Sequence, residues 1–427
     1  CDSLNSQIAR GFLRLDSLIA TIQSTPLDPS AATLTELEAA FFEMSVLIAA
    51  CPSRLQEYLT AFGQIRLAIK EQSQHWDLGS PAALNRLYRL LYGGRTAVEE
   101  AMLQSPDKSF TDAIVECNEP SPTPTATFFG VEVHSGDILV SRGGAPTSAL
   151  IARGSDYPGN FSHSALVHID SATNAVSIIE AHIERGVVIS TVDDYLNDTK
   201  LRIMLLRLRA DLPEMKAHPL LPHRAATYAL QQAATTHTPY DFAMDTKDHA
   251  QLFCSEVVSA AYEQAGIDLW RKESNISEPG LRSWLAAFGV RNFTTEEPSD
   301  LEYDPQLRVV AEWRDFETLR QDHLDNAVVD VMLEGAQRGD QLEYVWYMLP
   351  LARALKLYSS LLNQFGAIGP IPEGMNATAA LQNQWFGRQH RRAKAELVKE
   401  VEKFERENGY APPYWELVNL ARVAYSR

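Results

Sequence analysis

The chain has 427 residues and a mass of 47.6 kDa, room for two to four domains at about 150 residues each. Its composition, 45% apolar and 22% charged, is that of a globular protein and excludes wholesale disorder. With 38 basic against 55 acidic residues the net charge is −17, which argues against a dedicated nucleic-acid binder and against broad attraction to anionic headgroups.

No apolar run approaches the roughly 20 residues that span a bilayer. The most apolar stretch, Ala39 to Cys51, carries Glu43 and Ser45 and reads as a core helix. The first residue is Cys1, followed by a short polar stretch to Ser6. This start resembles a mature bacterial lipoprotein. The resemblance implies a lipidated Cys1, a membrane tether without a spanning helix, and a place on the periplasmic side of the cell envelope. The other reading is an arbitrary chain boundary. In an exported protein, Cys51 and Cys117 are either a disulfide pair or two buried thiols, and Cys254 is left over. No CxxC pair, HExxH or Cys/His ladder is present, so no metal site or cofactor is expected, and there is no GxSxG elbow or phosphate loop.

Residues 1–118 read as a helical domain. Leu13, Leu15, Leu18, Ile19 and Ile22 recur at three- and four-residue spacing, and Leu34–Ala50, Leu55–Lys70 and Pro81–Leu103 repeat the pattern. Alternating prolines at 120, 122 and 124 make residues 119–127 an extended linker. Residues 128–315 then change character. Val131–Arg142, Phe161–Asp170, Ala175–Ile183, Leu201–Leu208 and Leu307–Trp313 are apolar or β-branched strands, and the gap 171–174 fits a hairpin loop. Helices follow at Arg224–Thr235 and Ser255–Ala265, the second stopped by Gly266. Residues 316–427 read as a second helical region. The fold class is α+β, a small antiparallel barrel or sheet with flanking helical regions.

Within the central segment, Cys254 sits where an extended approach becomes a helix, with Val257, Val258, Ala261 and Ala265 at i+3, i+4, i+7 and i+11. A thiol in a first helical turn meets unsatisfied N–H groups and the positive end of the dipole, which stabilise a thiolate; the same amides suit an oxyanion. A small packing cysteine is the bland alternative. The alternation Phe161, His163, Ala165, Val167, Ile169 puts one histidine on an apolar strand face, either a satisfied core residue or a general base. On the returning strand, an odd-sum register pairs Ala165 with Glu180 and His163 with His182, bringing Glu180 to the His163 face; an even-sum register turns it away. Several other residues take plain readings. Asp137 reads as a turn partner, Glu256 as compensation of the helix dipole, and His168 as exposed. The basic run Arg388–Lys394 reads as a solvated helix face, and Arg142–Thr147 as a flexible lip on a cleft.

The order Gly136-Asp-Ile-Leu, Phe161-Ser-His-Ser-Ala-Leu, Ile179-Glu-Ala, Tyr240-Asp-Phe, Phe253-Cys-Ser-Glu-Val resembles the permuted papain-like amidases, the YiiX/YebB-like branch of the NlpC superfamily of cysteine hydrolases. In that branch the His strand precedes the Cys helix, as here. The resemblance covers roughly residues 131–315 and leaves both helical flanks unaccounted for. It implies Cys254 as nucleophile, His163 as general base and acid, and Glu180 as the group orienting the imidazole, with His182 as an alternative orienting residue. Tyr240 and Ser255 are the candidate oxyanion or substrate contacts. The expected activity is hydrolysis of an amide, a cell-wall-type peptide by analogy, through an acyl-thioester. A lipid ester hydrolase or acyltransferase with the same triad is the alternative; an apolar cleft favours it, whereas Arg142 or Arg153 lining the cleft favours a peptide carboxylate. A vestigial binding lipoprotein predicts an occluded Cys254 without a histidine contact.

Overall fold

The computed structural model describes residues 1, 3–105, 113–270, 272–363 and 367–426. The N-terminal region is a helical bundle: α1 (Asn5–Ser24), α2 (Ala32–Ala50), α3 (Leu55–Ser73), α4 (Pro81–Leu87), a π-turn at Tyr88–Tyr92, and α5 (Gly93–Leu103). Its apolar stripes, among them Leu15, Ile19, Ile22, Leu37, Phe41 and Phe62, close on one core. The central region runs β1 (Ala113–Val115), β2 (Thr125–Phe128), β3 (Val131–His134), β4 (Ile138–Gly143), α6 (Pro146–Arg153), β5 (His163–Ile169), β6 (Val176–His182), β7 (Gly186–Ser190), α7 (Val192–Asn197), β8 (Lys200–Leu208), α8 (Pro213–Ala217), α9 (Leu221–Thr235), α10 (Cys254–Ala265), β9 (Ser274–Asn275), α11 (Pro279–Phe288), β10 (Thr294–Thr295) and β11 (Leu307–Trp313). The C-terminal region is α12 (Phe316–Arg338), α13 (Leu349–Asn363), α14 (Ala377–Asn408) and α15 (Tyr414–Tyr425).

Seven strands form one open antiparallel sheet in the order β1-β11-β8-β4-β5-β6-β7. Sheet and helices together make the expected α+β fold, with a sheet that does not close into a barrel. Both faces of the sheet are covered. Ile138, Val140, Leu166 and Ile179 pack with Val257, Val258 and Ala261 of α10 and with α9, while Leu139, Ala165, Val167 and Ile178 pack with Phe128, Val131 and Tyr195. Hence His168, expected to be exposed, is buried and stacked on His223 of α9, ring centroids 5.4 Å apart. Phe161 precedes the first residue of β5 and joins the α9/α10 core, so the alternation read from residue 161 begins at His163.

Two further expectations are corrected. The N-terminal region is not helical throughout, because Ala113–Val115 leaves the bundle and pairs with β11 as the sheet edge. The disulfide joins Cys1 to Cys51, not Cys51 to Cys117. Packing of α1 on α2 brings the start of one helix to the end of the other, while Cys117 lies beside the sheet edge and its thiol meets the Val309 carbonyl at 3.2 Å.

The three regions are locked by buried charge. Arg202 of β8 reaches Glu99 of α5 and Asp322 of α12, each at 2.5 Å; Asp322 also pairs with Arg142 at 3.2 Å. Arg66 of α3 pairs with Glu302 at 3.2 Å and Glu312 at 2.5 Å. These groups are almost wholly buried, so each depends on its partners.

Candidate active site

The turn before β4 explains one quoted motif. Gly136 has φ +99° and a Cβ there would lie 2.2 Å from Pro222 Cβ, so only glycine lets the turn approach α9. Its carbonyl accepts from the Tyr262 hydroxyl of α10, tying the Cys helix to the sheet. Asp137 is structural, as expected: its carboxylate accepts from the His134 N–H and forms a two-point pair with Arg207, all at 2.8 Å.

Cys254 is the first residue of α10, which Gly266 ends in the left-handed conformation, φ +92°. The thiol is 5% exposed and lines a cleft, and among nearby side chains the His163 imidazole lowers its pKa most. Burial alone raises a thiol pKa. Here the His163 imidazole, with the backbone amides of Ser164 and Ser255, outweighs it and brings the pKa below the ordinary value. Conversely, burial disfavours imidazolium, but the bonds to Cys254 and Glu180 carry His163 up to about 9. Both shifts favour the thiolate–imidazolium form of the pair.

The odd-sum register is the one observed, with Ala165 opposite Glu180. Glu180 Oε2 lies 2.7 Å from His163 Nε2, so Nδ1 is the ring nitrogen that Glu180 does not engage. Glu180 Oε1 receives the Ser190 hydroxyl at 2.6 Å and lies 3.0 Å from His182 Nε2. The carboxylate is 1% exposed, yet the two histidines hold its pKa far below the usual range against the pull of burial. His182 therefore sits on the far oxygen of Glu180, its ring centroid 6.0 Å from that of His163. Ser190 went unread in the sequence; the β-branched run Gly186–Ser190 after a hairpin was the available signal.

Tyr240 lines the cleft with Cys254. Its loop is held to the approach strand by Leu252 N–H to the Pro239 carbonyl at 3.0 Å, and Asp241 caps the Ala243 and Asp245 amides at 2.7 and 2.6 Å. Burial drives the phenol pKa up, so its O–H stays a neutral donor. The Ser255 side chain is fully buried, outside the cleft lining, and its hydroxyl has no hydrogen-bond partner among the described residues. Ser255 offers its amide, not its hydroxyl. Glu256 accepts the Phe253 N–H at 2.9 Å, but burial beside Asp241, Asp245 and Glu296 pushes its carboxyl up to about 9. It caps the helix as a neutral acid and does not compensate the dipole with charge.

The cleft encloses about 890 Å³, its solvent-open mouth included. Leu150, Ile151, Phe253, Ile276, Leu285 and Phe288 dominate its walls, joined by Thr147 at the start of α6; the expected flexible lip at Arg142–Thr147 is instead the end of β4 and the first turn of α6, with Arg142 buried. Neither Arg142 nor Arg153 lines it: Arg142 is buried on Asp322, and Arg153 pairs with Asp330 at 2.8 Å. The C-terminal region supplies Met375 and Asn383 to the wall, which the central motifs gave no means of seeing. In the basic run of α14, His390 and Lys394 turn inward to Asp325, at 3.4 and 2.8 Å, so that face is only partly solvated.

In the sheet the histidine strand β5 precedes the cysteine-bearing helix α10 in the chain. Residues 132–311 match the family described as permuted papain-like amidase enzyme, YaeF/YiiX, C92 family. The match covers the central region and supports a cysteine hydrolase or amidase there. The crystal structure of metalloprotein yiiX from Escherichia coli O157:H7 aligns with 42% of this chain and 97% of its own, at 19% identity and a TM-score of 0.33. No curated protein sequence matches. Among the described residues, no three His, Cys, Asp or Glu side chains are grouped to hold a metal ion, and no helix is long and apolar enough to cross a membrane.

Proposed function

We propose that the enzyme hydrolyses an amide whose acyl group is apolar, with Cys254 as nucleophile, His163 as acid and base, and Glu180 as the group that fixes the imidazole. The observation that carries this is the apolar cleft ending at the Cys254 thiol, without an arginine or lysine in its wall. The thiolate attacks the acyl carbon, and the oxyanion gathers N–H groups of the first turn of α10 and the Tyr240 hydroxyl. Imidazolium Nδ1–H protonates the departing amine, leaving an acyl-thioester. Water then attacks as His163 takes its proton, and the acid leaves with the thiol restored.

An apolar cleft suits a hydrocarbon chain better than a wall-peptide carboxylate, whose expected anchors, Arg142 and Arg153, are committed to buried ion pairs. The same cleft supports the second reading, hydrolysis or transfer of a lipid ester acyl group by the same triad. The lowering of the Cys254 thiol pKa by His163 argues against a vestigial site. An envelope location through lipid on Cys1 requires that sulfur free, since one bonded to Cys51 cannot also carry a thioether; mass spectrometry of the N-terminal peptide separates the two states.

The test is hydrolysis of a series of N-acyl amides and matched esters. Each added methylene raises kcat/KM about threefold to fourfold until the cleft is filled, and Cys254→Ser abolishes turnover. Indifference to chain length, with preference for a charged peptide, overturns the acyl reading.

A further inference from the structure

Three carboxyl groups line the cleft, and no cation answers them. Asp241, Glu296 and Glu297 lie in its wall, which holds no lysine, arginine or histidine among the described residues. Their surroundings differ. The two Asp241 oxygens accept from the Ala243 and Asp245 amides. Glu297 is buried and faces further carboxyls, Asp300 and Asp156. Glu296 is only partly buried: its Oε2 accepts the Ser259 hydroxyl of α10 at 2.6 Å, while Oε1 has no hydrogen bond or ion pair among the described residues. Glu256, in the first turn of α10, stands at the same place. Its Oε1 is buried without a hydrogen-bond partner among the described residues, and the charges acting on it are Asp241, Glu296 and Asp245.

An uncompensated carboxylate in an apolar wall is unfavourable, and such groups in a cleft mark a binding or catalytic task. Burial and the like charges of Glu273, Asp268 and Asp300 push the Glu296 carboxyl up to about 7, against the Ser259 bond. The five residues from Cys254 to Ser259 rise about 7.5 Å along α10, which sets Glu296 within one substrate's length of the thiol. The wall says what kind of cation fits. A metal ion takes several donors at once, and among the described residues no three His, Cys, Asp or Glu side chains are so grouped. An organic cation needs one carboxylate and tolerates apolar and aromatic neighbours, which Tyr240, Phe242, Phe253 and Phe288 supply. We propose that Glu296 is a specificity-determining residue of the cleft, accepting through Oε1 from a cationic nitrogen, an ammonium or its like, on a substrate that also carries an apolar chain. This deepens the acyl-amide reading and rests on it for the cleft being the substrate site.

Binding is read without turnover, so the two readings fail separately. Iodoacetamide labelling of Cys254 in the full chain is timed with n-octylammonium or with 1-octanol, which share a chain and differ in charge. Each rate is referred to the same protein without ligand. At about pH 8, octylammonium half-protects the wild type at a concentration about tenfold below that of 1-octanol. That advantage fades as pH falls through about 7, where Glu296 takes a proton. In Glu296→Gln the two ligands protect alike, whereas attraction of the cation to the thiolate itself would survive the change. The melting temperature shows whether Glu296→Gln is folded, and the wild-type pH dependence tests the same carboxyl if it is not. Equal protection by the two ligands in the wild type, none included, overturns the proposal, and so does a cation advantage that Glu296→Gln retains. A cation advantage that depends on Glu296, in an enzyme indifferent to acyl chain length, keeps the cation site and removes the acyl reading.

Discussion

Glu180 carries His163 on one carboxylate oxygen, at 2.7 Å, and Ser190 and His182 on the other, at 2.6 and 3.0 Å. Two questions follow from that division: which state the histidine holds, and which neighbour matters to it.

The state is visible in pH dependence. Cys254 is shifted down and His163 up to about 9, so the thiolate forms below the pH at which a free cysteine ionises. Iodoacetamide labelling of Cys254 should persist below about pH 7, and His163→Ala should move its midpoint up towards or beyond about 8.5. On the alkaline side the sign reverses: protonation of the leaving amine needs imidazolium, so kcat falls as pH rises through about 9, not through the ordinary histidine value. Identical labelling midpoints in wild type and His163→Ala would sink the ion pair.

The neighbour question is settled by two substitutions. Glu180→Gln keeps the shape but presents an amide to Nε2, so kcat should fall on the order of 10⁴-fold, as when an orienting carboxylate is neutralised elsewhere. His182→Ala leaves Glu180 bonded to both His163 and Ser190, and should cost less than roughly tenfold. Steady-state rates on one acyl amide decide it. A larger loss in His182→Ala than in Glu180→Gln would make His182 the orienting residue.

Much of this geometry was legible because it is local. The parity of a four-residue hairpin loop set Ala165 opposite Glu180, and Gly266 marked the end of the Cys254 helix. What was not legible depends on elements distant in sequence. His168 is covered by α9, whose docking depends on Gly136 meeting Pro222. Glu256 is neutral because Asp241, Asp245 and Glu296 converge on it from two loops. Cys51 pairs with Cys1 because two helices run side by side. Arg142 looked free to hold a carboxylate until Asp322, 180 residues later, was found beside it.

That long-range charge is open to measurement. Arg202→Ala leaves Glu99 and Asp322 buried with their best partner gone, and should destabilise the fold by about 3–5 kcal/mol. Arg202→Met/Glu99→Leu/Asp322→Leu also strands the buried Arg142 and Arg314, so it should not recover that loss. Urea denaturation followed by circular dichroism reads both. A loss under about 1 kcal/mol in Arg202→Ala would mean that water reaches the network.

Tyr240 tests the oxyanion assignment. Its phenol is kept protonated by burial and lines the cleft beside Cys254, whereas the Ser255 hydroxyl is out of reach of the cleft. Tyr240→Phe removes one donor and little volume, so kcat should drop on the order of 10²-fold with KM and thiol labelling nearly unchanged. Ser255→Ala leaves every amide of the first turn in place and should keep kcat within about threefold of wild type, since it deletes a buried hydroxyl without a partner. Pre-steady-state kinetics sharpen the distinction: a lost oxyanion donor slows both acylation and deacylation, because each passes through a tetrahedral intermediate at the same carbon. A variant that acylates at the wild-type rate and raises KM alone would instead make Tyr240 a wall of the binding cleft.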